Sequence, residues 1–89
     1  MEEELKKQYL FLLSEIIAKE AVVFGYDIVA LKARSLGGLV LDDNGIVVSI
    51  KGDATEVTEK LVNGYIDLAG QIAKDIILPI FTKYPLIKI

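Results

Sequence analysis

Two amphipathic segments of about thirty residues each, flanking one short hairpin signal, constrain this chain more than anything else in it. In the first, Leu10, Leu13, Ile17, Ala21, Phe24, Ile28 and Leu31 recur at steps of three or four, and Tyr9, Leu12, Ile16 and Val23 widen the stripe. That spacing puts the apolar residues on one side of a helix. Glu2, Glu3 and Glu4 suit the positive end of its dipole, Lys32 and Arg34 fall in its last turn, and Gly37 is placed to cap it. The spacing therefore predicts one helix from about residue 2 to residue 35. Gly25 lies inside it, and a break there with Asp27 to Ala33 as a strand is the alternative.

In the second segment Val57, Leu61, Tyr65, Leu68, Ile72 and Ile76 form one stripe, with Val62, Ile66, Ala69, Ala73 and Ile77 beside it. Asp53 stands three residues ahead of Glu56, as an N-cap and its acidic partner do. The predicted helix runs from about 54 to 78. Pro79 removes a backbone donor and should kink or end it. The tail, residues 79–89, is apolar to its last residue and is expected to dock.

Between the helices, Leu39-Val40-Leu41 and Ile46-Val47-Val48-Ser49-Ile50 flank Asp42-Asp43-Asn44-Gly45. Asn-Gly between apolar runs is the strongest short hairpin signal, because the favoured two-residue turn needs positive φ at both positions. The hairpin should span about 38–51. Whether the loop has two or four residues, alternation puts Leu39, Leu41, Ile46, Val48 and Ile50 on one face and Val40, Val47 and Ser49 on the other.

The expected fold is thus a single α+β domain over residues 1–89, with the order long helix, β-hairpin, long helix (αββα). A helix of about thirty-three residues would be about 50 Å long, while a compact chain of this size has a radius of gyration of about 12 Å. Such helices overhang any single globule, and an isolated hairpin is marginal in water. Both arguments predict a homo-oligomer, a dimer in the simplest case, whose second copy completes the hairpin's packing. The alternative is a compact αβββα monomer, with Gly25 and Pro79 folding the helices back.

Composition narrows the functional classes. A 53% apolar and 26% charged content excludes disorder. A net charge of −3, with ten basic against thirteen acidic residues, provides no broad attraction for nucleic acid or an anionic bilayer. Ser14, Glu15, Lys19, Glu20 and Asp27 interrupt the first segment too often for a membrane helix. The acidic start is unlike a signal peptide, so the expectation is a soluble, cytoplasmic protein. Few Asn and Gln, no Cys, and charge carried by Glu and Lys is a balance found in proteins of hot environments.

Reactive groups are scarce. With no Cys and no His in the chain, the usual metal ligands are missing and Ser14, Ser35 and Ser49 have no histidine to activate them. Asp42, Asp43 and Asn44 read as turn chemistry rather than a cation loop, since the EF-hand spacing is not met. Lys19, Glu20, Lys74 and Asp75 lie near apolar stripes where burial could shift their titration, but helix-face solvation is the better reading. The aromatic residues, Phe81 and Tyr84 among them, read as core and interface packing.

The run Leu36-Gly37-Gly38-Leu39-Val40-Leu41-Asp42-Asp43-Asn44-Gly45-Ile46-Val47-Val48-Ser49, set between two helices, resembles the first half of a roadblock/LC7 domain. That resemblance implies a homodimeric platform for small GTPases or motor assemblies. The residues themselves predict a non-enzymatic homo-oligomeric protein-interaction module with no cofactor and no metal. Its interface residues would be Leu10, Leu13, Ile17, Phe24, Ile28 and Leu31 on the first helix and Phe81, Tyr84, Leu86 and Ile87 at the C-terminal end. A small-molecule or lipid carrier with a cavity between the helices, and a roadblock-like scaffold, are the alternatives.

Overall fold

The computed structural model describes residues 2–87. It contains helix α1 (Glu3–Phe24), helix α2 (Tyr26–Leu36), strands β1 (Leu39–Leu41) and β2 (Val47–Ile50), helix α3 (Ala54–Ala69) and helix α4 (Gln71–Phe81). The expected α+β class holds, helix-rich and with an antiparallel hairpin, but each long helix is two helices.

The first break falls at Gly25 and the second at Gly70, with φ of 92° and 65°. Each glycine ends one helix and begins the next. The Gly25 N–H donates to the Ala21 carbonyl and its own carbonyl accepts from Val29, while Gly70 does the same between Ile66 and Lys74. The backbone therefore turns without stranding its polar groups. After Gly25 the chain resumes as helix, not as the strand that was the alternative there. Pro79 lies inside α4, which ends two residues on, so the main break in the second segment is at Gly70.

Consecutive helices pack on one another, and α4 closes the ring by returning to α1. The core fills the space between them, with Leu12, Leu13, Ile16 and Ile17 of α1 against Val29, Leu61, Tyr65, Ala73 and Ile77. Folded back in this way the chain has a radius of gyration of 11.8 Å, the value of about 12 Å expected of one compact copy. The overhanging rods predicted from sequence do not exist, and helix length no longer argues for a second copy.

The hairpin lies against α1 and α2. Of the two loop lengths its turn is not the two-residue form: among the described residues none but glycine has positive φ, and Gly45 donates to the Asp42 carbonyl. The Asp42 carboxylate accepts from the backbone of Asn44 and Ile46, at 2.8 and 3.0 Å, which settles the acidic loop as turn chemistry. The register pairs Val40 with Ser49 but Leu41 with Val47, so Val48 is left over in a bulge. Leu39, Leu41 and Ile50 pack against the core on one face as expected, but the extra residue brings Val47 in beside them and turns Ile46 and Val48 out. Val47 is buried, while Ile46 and Val48 are about half exposed. Ser14 of α1 accepts the Val47 N–H at 2.8 Å, and Tyr26 and Arg34 of α2 donate to the turn carbonyls of Asp43 and Asp42.

α3 begins as predicted, with the Asp53 carboxylate accepting from the Glu56 N–H at 3.0 Å. Beyond α4 the chain turns back and Ile87 packs into the core. The tail thus docks on its own chain as far as Ile87, and its last two residues lie outside the described region.

A Cβ at residue 70 would meet nothing within 4 Å, so the glycine is required by conformation alone. Gly70→Ala is expected to cost about 1–3 kcal/mol in urea unfolding, because its φ and ψ are open almost only to glycine. D-alanine at the same position, introduced by chemical synthesis, should retain stability.

Candidate functional site

The buried stripe of α1 runs Tyr9, Leu12, Leu13, Ile16, Ile17 and then Glu20. Glu20 follows Ile16 by four residues and Ile17 by three, so the helix carries it inward with them. It is 0% exposed, and neither carboxylate oxygen has a hydrogen-bond partner. Burial alone pushes its pKa up to about 7, with no neighbouring charge contributing. Tyr65, also buried, donates its hydroxyl to the Val29 carbonyl at 2.9 Å. Its pKa is raised first by burial and then by the charge of Glu20. The expected solvation of Glu20 is corrected by this geometry, whereas Lys19, Lys74 and Asp75 are exposed as expected.

Two clefts flank the α4 helix, and Glu20 lines neither. One groove of about 460 Å³ runs along the α1–α4 seam, with Val22, Val23, Ile76 and Pro79 in its wall and Glu15, Lys19, Asp75 and Lys83 around it. Across one end of it Glu15 accepts from both the Lys83 ammonium and the Tyr84 hydroxyl. The hydrogen bond to Lys83 is the main cause of a lowered Glu15 pKa, and burial opposes it. The other cleft, about 400 Å³, lies between α3 and α4 and is lined by Val62, Ile66, Leu78, Phe81 and Ile87, with Lys74 as its one charged residue. Among the described residues no three His, Cys, Asp or Glu side chains gather as metal ligands.

The residues expected at an interface are distributed differently. Leu13, Ile17 and Ile87 are buried in the core of the single chain, at 0%, 1% and 4% exposure, and offer a partner nothing. Leu10, Phe24, Phe81 and Tyr84 are half-buried against the same core. Ile28, Leu31 and Leu86 remain exposed. The helix stripe was centred about one residue off, and the side chains it left aside include Val22, 84% exposed. Phe11 and Val22 are apolar residues of α1 off the predicted stripe, and both are exposed, so an apolar side chain off the stripe is the available signal.

No protein-family model matches the chain, and neither a curated protein nor a solved structure matches it. Among the described residues the roadblock resemblance extends no further than the hairpin between helices, since the only strands are β1 and β2. No described helix is long and apolar enough to cross a membrane.

Glu20 holds its proton more tightly when folded than at the ordinary value of 4.5. The folded chain therefore binds more protons than the unfolded one between those values, and stability must fall as pH rises through that window. Its contribution is complete at low pH and gone above about pH 7, a loss of about 2–3 kcal/mol between about pH 5 and pH 8. The Glu15 pair acts in the opposite sense, and only at more acid pH. Glu20→Gln should flatten this slope, and urea midpoints across the range check it: an unchanged slope would mean that the carboxyl is hydrated in solution.

Proposed function

We propose that this is a small, non-enzymatic protein-interaction module that self-associates, as a dimer, through its α1–α4 face. The observation that carries the reading is Val22 and Val23, 84% and 55% exposed, standing beside Ile76 and Pro79 in one groove. Apolar side chains gathered on a surface mark a contact site more often than scattered ones do. The rim has two acidic residues, Glu15 and Asp75, and two basic ones, Lys19 and Lys83. A two-fold contact brings a surface against itself, so a rim of one sign would repel its copy, whereas this mixture can pair each charge with its opposite.

The non-enzymatic part rests on placement. Glu20, the one carboxyl tuned near neutrality, is sealed from both clefts, and a general acid or base must reach its substrate. Of the charged groups around the α1–α4 groove, Glu15 is taken up by Lys83 and Tyr84, and Lys19 and Asp75 are solvated residues on helix faces.

Sedimentation at micromolar concentration is expected to give about twice the chain mass of 9.8 kDa. Val22→Glu should return the protein to a single copy with thermal stability nearly unchanged, within about 0.5 kcal/mol, because the site is on the surface. A folded wild-type species of single-chain mass would overturn the reading.

A carrier function has one observation in its favour, the apolar α3–α4 cleft with Lys74 beside it. Its volume falls in the lower part of the range of about 300–1,000 Å³ typical of small-molecule sites. Native mass spectrometry of gently purified protein should then show a bound mass that Lys74→Glu diminishes; the bare chain alone would count against it.

A further inference from the structure

Phe11 is left in water by the fold. It is 62% exposed, whereas the other two phenylalanines, Phe24 and Phe81, are half-buried against the core. Val22 follows it by eleven residues, which is three helical turns to within about 20°. The two side chains therefore stand on one line along the solvent side of α1, about 16 Å apart, with the exposed Ala18 between them. One helix thus has two apolar lines, one that builds the core and one that faces out.

The outer line joins a knob to a hole. Val22 and Val23 form one wall of the α1–α4 groove, and Ile76, Pro79 and Ile80 form the other. Two copies of α1 can be set antiparallel, with the two-fold axis midway between Phe11 and Val22. Each Phe11 then falls at the level of the partner's Val22, and both grooves are filled at once. The axis passes beside Ala18, whose small side chain lets two helices approach closely. A parallel pair would instead bring Phe11 to Phe11 and Val22 to Val22, leaving both grooves empty.

Charge selects the same direction. Glu15 and Lys19 border the groove on α1. In the antiparallel pair Lys19 comes within one residue of the level of the partner's Glu15, so opposite charges meet; in the parallel pair Glu15 would face Glu15. The Glu15 carboxylate is held in place by Lys83 and Tyr84, and among the described residues Lys19 forms no ion pair of its own. Antiparallel helices also set their dipoles head to tail.

We propose that Phe11 of each copy fills the α1–α4 groove of the other, the two α1 helices lying antiparallel with Lys19 beside the partner's Glu15. This rests on the self-association proposed above and gives it a knob, a hole and a direction. A buried phenylalanine removes about 150–250 Å² from water, and the two-fold counts it twice.

Sedimentation of Phe11→Asp beside the unaltered chain tests the knob. Loss of an aromatic anchor weakens a contact about thirtyfold or more, and symmetry repeats the loss. The variant dimer should be about a thousandfold weaker and run at single-chain mass at micromolar concentration, with the helix content by circular dichroism unchanged. The direction is read without touching the contact. The chain has no cysteine, so a spin label on Glu3→Cys, at the start of α1, stands alone in each copy. Two labels should lie about 40 Å apart in the antiparallel dimer, against about 10–20 Å in a parallel one. Should Phe11→Asp fail to fold, this distance decides by itself. A dimer that Phe11→Asp leaves intact, or a label distance clearly different from about 40 Å, overturns the inference while self-association stands. An unaltered chain of single-chain mass overturns both.

Discussion

Gly25 and Gly70 turn two long amphipathic segments into a closed ring of four helices, and everything else in the molecule rests on those two reversals. Each segment has enough apolar residues in helical register to run on as a rod. At a non-glycine residue the observed φ and ψ would be strained. With glycine there, the helix ends inside a bonded cap, the next begins at the same residue, and α4 can come back onto α1. The seam between α1 and α4, the two clefts beside α4 and the sealed position of Glu20 all follow from that closure.

What the sequence makes legible is where elements begin and what faces water on average. Asp53 with Glu56 marks the start of α3, and Asp42 through Gly45 marks the hairpin turn. The reversal at Gly70 is not legible from periodicity, because the stripe passes from Leu68 to Ile72 without losing step. A glycine within a helix costs only about 1 kcal/mol against alanine, too little to decide for a break without the core that the break allows. Pro79 is the louder signal in the sequence, yet it falls in the last turn of a helix that has little further to run. The hairpin faces fail for a similarly local reason. One extra residue, Val48, shifts the pairing, so that Val47 joins Leu39, Leu41 and Ile50 on the core side while Ile46 and Val48 face out.

Glu20 shows which of two sequence signals wins when they conflict. Its charge predicts solvent and its spacing from Ile16 and Ile17 predicts the core; the helix is one rigid object, so spacing decides. The chain then holds the carboxyl neutral well above its ordinary range, up to about pH 7, because a proton costs less than burying a charge with no partner. Tyr65 beside it satisfies its own hydroxyl on Val29 and offers Glu20 no hydrogen bond. Proton binding and folding are thereby linked through one residue.

Within three positions, α1 buries a carboxylate at Glu20 and exposes a valine at Val22, the reverse of what the stability of one isolated copy would select. Exchanging the two characters would remove both an unpartnered buried acid and an apolar side chain in water. Sequences that fold well agree with themselves at every level, and departures concentrate where something other than stability is being served. Here the two departures lie back to back on one turn of helix, one facing the core and one facing the α1–α4 groove. Helix α4 packs on α1 and borders the second of them. A surface contact at Val22 would therefore bear on the seam between α1 and α4, on the opposite side of the same helical turn from the buried carboxyl.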